Sequence, residues 1–302
     1  MSATHLKAIA IGVAVLLALW GASEWWSRRT DATAAKLRLP ALSASEVDTV
    51  AMTHGADTMI LAKQSTGGWT VNAYPASSSA VGDLFQAFRD SVQPQLVAES
   101  PSSFARIGVD SGSARFVRVV GGGKTLARLF VGGPPGSNAA YVRLPGDVRT
   151  YQWSGQLPIL VARPVDGWRD RLIGAVAPES IAVVEIQRVG KRATLRKRGS
   201  AWVLSSGKPA DSAAVARLLE RIRTVTASGF ATDQQADSLR SARPRRRLLV
   251  RGSGDHVLMA LLFDSLPGGF WVRKPEGGTV YRLDTWQVDQ LTPGEDALKA
   301  RS

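Results

Sequence analysis

The chain of 302 residues contains no cysteine, which excludes disulfide bonds, thiolate metal sites and cysteine nucleophiles. Histidine is scarce as well, since only His5, His54 and His256 are present. None of the three stands among carboxylates at the spacing of a metal site, and no G-x-S-x-G nucleophile motif occurs. We therefore predict no catalytic, cofactor-binding or metal-ligating residue, and a protein that is not an enzyme. A hydrolase with a dispersed site is the less favoured alternative, because carboxylates that meet only after folding leave no local pattern.

Long apolar runs are also lacking, with one exception near the N-terminus. The segment Ala8–Ala22 consists only of apolar residues and glycine, and extension to Trp26 brings it close to the roughly 20 residues that span a bilayer. We predict a single-pass anchor in the cytoplasmic membrane, with the N-terminus inside and the bulk of the chain periplasmic or extracellular. A cleaved signal peptide is the alternative, because Gly21-Ala22-Ser23 supplies small residues for cleavage.

Positive charge is abundant. The 38 Lys and Arg residues exceed the 25 Asp and Glu residues by 13, which favours contact with anionic surfaces. The densest run is Arg243-Pro244-Arg245-Arg246-Arg247. The run fits binding of nucleic acid or contact with anionic lipid or polymer, but the favoured interpretation is a solvated run that protects the edge of the next strand. Export would separate the protein from nucleic acid, so we expect no nucleic-acid partner.

Two halves of the chain repeat one pattern in the same order. Each half has a strand pair, a tryptophan (Trp69 or Trp202), a helix, a second strand pair and an aromatic-Val-Arg-x-Pro motif that begins at Tyr141 or Trp271. In each half a tyrosine follows ten residues after that first aromatic residue. We predict two tandem copies of a strand-rich α+β unit with mostly antiparallel sheet.

The helix of each half shows one apolar face. In the second half, Val215, Leu218, Leu219 and Ile222 have the i, i+3, i+4, i+7 spacing of an amphipathic helix, and Asp211 stands where a side chain caps the first turn. The equivalent stripe in the first half comprises Val81, Leu84, Phe85 and Phe88.

These patterns divide the chain into six segments. The predicted segments are an anchor at 1–28, a juxtamembrane linker at 29–45, a first α+β repeat at 46–156, an inter-repeat connector at 157–177, a second α+β repeat at 178–292 and a polar tail at 293–302.

The duplicated unit resembles the bacterial family called domain of unknown function 4340. The resemblance is carried by Trp202-Val203-Leu204, Pro209-Ala210-Asp211, the helix around Val215, Trp271-Val272-Arg273 with Tyr281, and Trp168-Arg169-Asp170-Arg171-Leu172. In the first copy Ser77-Ser78-Ser79 replaces the Pro-Ala-Asp approach to the helix. The resemblance implies a membrane-anchored, exported protein that is often encoded beside ABC transporters of the gliding-motility type. It supplies no catalytic residues.

We therefore expect an accessory protein that acts by protein–protein contact with an ABC transporter permease or an envelope complex. The alternative is a binding module for anionic envelope polymer or lipid. The connector also has a simpler interpretation, in which Trp168 is buried and the charges around it are solvated. The candidate interaction surface comprises Trp168, Arg169, Arg171, Arg243, Arg245, Arg246 and Arg247.

Overall fold

The computed structural model of the protein describes residues 37, 39–90, 92–133 and 138–300. They form two compact units. The first contains the described residues up to Ala73 and the segment Ser78–Pro164, and the second contains Tyr74–Ser77 and the described residues from Val165 onward. The predicted anchor at 1–28 lies outside the described residues. No helix in the described ranges has the length and apolar character needed to cross a membrane.

The first unit is built on an antiparallel sheet with the order β3-β2-β1-β6-β7-β8-β9-β5. Its helices are α1 (Ser78–Arg89) and α2 (Leu157–Ala162). Its strands are β1 (Thr49–His54), β2 (Asp57–Lys63), β3 (Trp69–Val71), β5 (Gln95–Ala98), β6 (Arg115–Gly121), β7 (Lys124–Val131), β8 (Ala139–Arg143) and β9 (Thr150–Ser154).

The second unit has an antiparallel sheet with the order β13-β12-β11-β16-β17-β18-β19-β15. Its strands are β11 (Ile181–Arg188), β12 (Lys191–Arg198), β13 (Ala201–Leu204), β15 (Gly229–Phe230), β16 (Arg246–Gly252), β17 (Val257–Leu266), β18 (Gly269–Arg273) and β19 (Val280–Asp284). A separate pair joins β10 (Leu172–Ala175) to β14 (Thr224–Thr226), and the short strand β4 (Tyr74–Pro75) also belongs to this unit.

The helices of the second unit are α3 (Ser212–Arg223), α4 (Asp233–Leu239) and α5 (Thr285–Leu291). Both predicted amphipathic helices are confirmed, as α1 and α3. The apolar stripe of α1 is buried, and so is that of α3 except for half-buried Leu219. The predicted cap is confirmed too, because the Asp211 carboxylate accepts a hydrogen bond from the backbone N–H of Ala214 at 2.7 Å. Such a cap satisfies a donor that the first turn leaves without a partner inside the helix.

The core of the second unit lies between one face of its sheet and the helices α3 and α5. Leu248, Val250 and Phe263 from the sheet join Val215 and Ile222 from α3 in one buried cluster. Alternation along each strand sends every second side chain to this face. The antiparallel pairing in both units confirms the prediction of a strand-rich α+β fold with mostly antiparallel sheet.

Several features of the second unit, helix α5 among them, were not predicted or differ from the prediction. Helix α4 has no apolar stripe, so periodicity does not reveal it. It begins instead at a capping box between Thr232 and Gln235. The residues predicted as a polar tail include buried Leu298, whose backbone oxygen accepts a hydrogen bond from the N–H of Asp211 at 2.9 Å. A single leucine among charged residues is too weak a signal to predict this packing.

Candidate functional site

The candidate site lies at one end of the sheet in the second unit, where cations from different strands meet. Arg188 ends β11 and pairs with Lys191, which begins β12. On the other side Arg188 pairs with Arg246, the first residue of β16. Directly opposed residues of antiparallel strands share a face. Lys191, Arg188 and Arg246 therefore form a row of three cations on one face of the sheet.

One carboxylate serves two cations of this row. Asp289 of α5 accepts a hydrogen bond from the Arg246 guanidinium at 2.6 Å and lies 3.8 Å from that of Arg188. Arg246 also donates to the Thr292 hydroxyl at 3.0 Å, and its guanidinium carbon lies 4.6 Å from the centroid of the Phe270 ring. Like charges opposed across a sheet destabilise it, and Asp289 offsets this repulsion only in part.

A cavity of about 740 Å³ opens beside this row. Its lining combines the cationic end of the sheet with the last turn of the described chain. The cations in the lining are Arg188, Lys191, Arg192, Arg245, Arg246 and Lys299. The anions in the lining are Glu295 and Asp296.

Lys299 is already paired within this lining. Its ammonium lies 2.7 Å from Asp296 and 3.8 Å from Glu295. The hydrogen bond to Asp296 raises the pKa of Lys299, and the same bond is the main cause that lowers the pKa of Asp296. The carboxylates of the lining are thus engaged by Lys299, with a smaller contribution from the charge of Lys191 to the lowered pKa of Asp296.

Three cations of the lining are left over. Among the residues that the structure describes, Lys191, Arg192 and Arg245 have no ion-pair partner, and all three are exposed. Guanidinium and ammonium groups in this situation bind phosphate or carboxylate oxygens through charge-assisted hydrogen bonds. The arrangement is suited to holding an anionic group.

The predicted interaction surface is divided by the fold. Arg245 and Arg246 line the cavity. Arg243 and Arg247 are exposed, and Arg247 faces away from Arg246 because successive residues of a strand alternate. Arg171 is exposed and donates a hydrogen bond to the backbone oxygen of Ser228 at 3.2 Å.

Trp168 and Arg169 are buried, with side chains 0% and 7% exposed. The guanidinium carbon of Arg169 lies 3.7 Å from the Tyr74 ring centroid and 3.8 Å from the Phe230 ring centroid. Arg169 also reaches the Asp166 carboxylate at 3.3 Å. Two ring faces and a carboxylate thus enclose this cation, which places it in the packing of the unit and not on an exposed surface.

Sequence reasoning missed four of the six cations that line the cavity. Arg188, Lys191, Arg192 and Lys299 were not predicted as site residues, although Arg188-Val189-Gly190-Lys191-Arg192 carries three cations around a short turn. That local run is a usable signal. Its approach to Arg245 and Arg246 depends on the register between β11 and β16, which local sequence does not specify. The described residues contain no group of three or more histidine or carboxylate side chains placed to hold a metal ion.

The fold and the site define a strand-rich α+β protein of two antiparallel units, with a basic cavity in the second. The family model for a domain of unknown function (DUF4340) matches residues 69–244. The match covers more than half of the 302 residues, and the chain belongs to this family, as the sequence resemblance predicted. Comparisons with curated proteins and with solved structures gave no significant match.

Proposed function

We propose that this protein is a non-enzymatic binding module for anionic groups, and that the basic cavity of its second unit is the binding site. One observation carries the proposal: Lys191, Arg192 and Arg245 stand exposed at one cavity without ion-pair partners in the described chain. The alternative function predicted from charge, contact with anionic envelope polymer or lipid, is therefore the one that the geometry supports best.

Electrostatic repulsion within the cavity favours a ligand of opposite charge. The row Lys191, Arg188 and Arg246 brings like charges together, and Asp289 offsets them only in part. An anion bound beside this row lowers that repulsion and gains charge-assisted hydrogen bonds. The volume of about 740 Å³ exceeds the space that one phosphate needs, so the ligand is a larger molecule or a polymer segment that carries such groups.

The proposal is tested with inorganic polyphosphate and the full-length protein in detergent. The double variant Lys191→Gln/Arg192→Gln removes two of the cations that lack partners. Loss of even one charged hydrogen bond costs about 1.5–3 kcal/mol, so we expect binding to weaken at least tenfold in a titration at fixed salt. Exposed surface substitutions change stability by less than about 0.5 kcal/mol, which thermal unfolding checks.

The matched control is Arg196→Gln/Lys197→Gln. These exposed residues lie on the same strand, β12, and carry the same charge at its other end. The proposal predicts that this control retains most of the polyphosphate affinity. Equal weakening by both double variants would mean that net charge alone governs binding, and the proposed site would be wrong.

A second candidate function is that of an exported accessory protein that contacts an ABC-type transporter permease or an envelope complex. It is supported by membership in the family, which the sequence resemblance links to such transporters. The apolar run Ala8–Ala22 supports a single-pass anchor with the bulk of the chain outside the cytoplasm. Purification of the tagged protein from native membranes tests this role. Absence of any membrane partner at native expression would count against it.

We also propose that the two units are tandem copies. The strand order of the first, β3-β2-β1-β6-β7-β8-β9-β5, corresponds position by position to that of the second, β13-β12-β11-β16-β17-β18-β19-β15. Pro75-Ala76-Ser77 and Pro209-Ala210-Asp211 support the same idea, because each directly precedes its helix and Ala76 forms a bridge with Arg169 as Ala210 does with Lys299. This correspondence replaces the one read from the sequence, in which Ser77-Ser78-Ser79 took the place of Pro-Ala-Asp. An experimental structure in which the connections between equivalent strands differ would contradict a duplication.

A further inference from the structure

We infer that the turn between β11 and β12 docks on a bilayer surface that carries anionic phospholipid. The inference rests on the proposed anion-binding function and names the partner of that same site. The residue that points to lipid is Val189, which lies at this turn and also lines the basic cavity.

The end of this hairpin is free to meet a surface. Arg188 and Lys191 form its last pair, so Val189 and Gly190 make the turn, and Gly190 adopts the left-handed φ of 69°. On one side β16 begins at Arg246, level with Arg188. On the other side β13 pairs with β12 only from Leu195 to Arg198. Within the described sheet, therefore, neither neighbour extends over the turn.

Val189 is the apolar part of this tip. Its side chain is 71% exposed, more than that of any other large hydrophobic residue in the described chain. The next most exposed is Val257, at 58%. An exposed valine alone is ordinary in a folded protein. Here it lies within two residues of Arg188 and Lys191, in a turn that ends a charged hairpin.

The combination of charge and apolar surface favours lipid over a soluble polymer. A polyphosphate or polycarboxylate chain would use only the cations and would leave Val189 in water. A bilayer that carries anionic headgroups supplies phosphate for Lys191 and Arg192, and just below it an apolar boundary for Val189. Asp289 pairs with Arg246 and Asp296 pairs with Lys299, and the charge of Lys191 makes only a smaller contribution to the lowered pKa of Asp296.

The test uses a single fluorescent label on the full-length protein. Because the chain has no cysteine, Val189→Cys creates one labelling site for a dye whose emission shifts to the blue in an apolar environment. The labelled protein is reconstituted in vesicles of phosphatidylcholine alone and of phosphatidylcholine mixed with phosphatidylglycerol. An N-terminal anchor would contribute equally to both kinds of vesicle, so the difference between them reports on the tip.

We expect a blue shift only with phosphatidylglycerol, and its reversal by added salt. A basic residue near an anionic membrane contributes about 1 kcal/mol, so Lys191→Gln in the labelled protein should lower the ratio of inserted to free tip about fivefold. Val257→Cys is the matched control, since this exposed valine belongs to a different part of the sheet. Its label should not respond to phosphatidylglycerol.

The other outcomes separate the inference from the function on which it rests. If the label at position 189 does not respond to phosphatidylglycerol while polyphosphate still binds to the cavity, the partner is a soluble anion and the lipid inference is overturned. If the shift is equal in both kinds of vesicle, the cations have no role and the inference is overturned as well. If neither vesicles nor polyphosphate bind at the site, both the lipid inference and the proposed anion-binding function are overturned.

Discussion

Arg169 and the cations of the basic cavity carry the same charge in the same unit but have different surroundings. Arg169 is 7% exposed, with a tyrosine ring on one side and a phenylalanine ring on the other. Lys191, Arg192 and Arg245 are exposed, and no carboxylate in the described chain pairs with them. The first cation is enclosed within the fold, although its buried Nε has no hydrogen-bond partner in the described chain. The others have binding capacity left for a ligand.

This difference shows that partners, not charge density, separate a structural cation from a binding one. The connector around Trp168 and the run around Arg245 look equally basic in the sequence, and both were predicted as interaction surface. Two aromatic faces and the Asp166 carboxylate surround Arg169, whereas the single carboxylate of Asp289 is shared by Arg246 and Arg188. The following predictions, from the largest expected effect to the smallest, test this distinction.

Trp168→Ala should give the largest effect of all, a loss in the free energy of unfolding. The side chain is fully buried, and removal of a buried tryptophan costs about 3–5 kcal/mol through lost burial and the remaining cavity. Urea unfolding measures the change. Trp286→Ala is the matched control, because Trp286 is 55% exposed and its loss should change the free energy of unfolding far less. Equal effects of the two substitutions would contradict a structural role for the region of Arg169.

Asp289→Asn should destabilise the protein less than Trp168→Ala does, and it should strengthen the binding of polyphosphate. Loss of the charged partner of Arg246 should cost about 1–2 kcal/mol. The variant also leaves the row Lys191, Arg188 and Arg246 without its offsetting charge, so polyphosphate should bind more tightly than to the wild-type protein. Titration at two salt concentrations measures this gain. Unchanged affinity would mean that polyphosphate does not bind beside this row.

Tyr281→Phe should have the smallest effect on the free energy of unfolding, and this effect should depend on pH only at high pH. Burial is the main cause that raises the pKa of Tyr281, and the nearby carboxylate of Asp170 adds to it. The unfolded chain therefore loses the tyrosine proton first, near the ordinary pKa of about 10. The stability due to this group is fully present below that pH and is lost as the pH rises through the higher pKa of the folded state.

Urea unfolding at neutral pH and above pH 10 measures this dependence. The phenylalanine variant should lose less stability over that interval than the wild-type protein, because it has no proton to release at this position. Polyphosphate binding at neutral pH should stay unchanged, since Tyr281 packs against Phe230 in the region of Arg169 and does not line the cavity. The same decline in both proteins would contradict a raised pKa for Tyr281.

Much of the architecture was predictable because its signals are local. The spacing of Val215, Leu218 and Ile222 depends only on the period of a helix, and the structure buries all three. Cap chemistry is equally local, as the bond from Ala214 to Asp211 shows. Helix α4 escaped prediction because it presents no apolar stripe, so only its capping box marks it.

Only two of the six cations that line the cavity were predicted, because the site is assembled across strands. Arg245 and Arg246 were expected to act together with Arg243 and Arg247, but strand alternation separates Arg246 from Arg247. The register of β16 against β11 then brings Arg246 beside Arg188, a residue that no local pattern connects to it.

The order of the residues was therefore enough to specify the main strand pairs, helices α1 and α3, the Asp211 cap and the family, because each depends on neighbours in the chain. It also set the total positive charge. Which cations are enclosed and which are left to bind was decided only by the tertiary structure. A guanidinium is enclosed by groups that reach it in space, and both Tyr74 and Phe230, which enclose Arg169, come from distant parts of the chain.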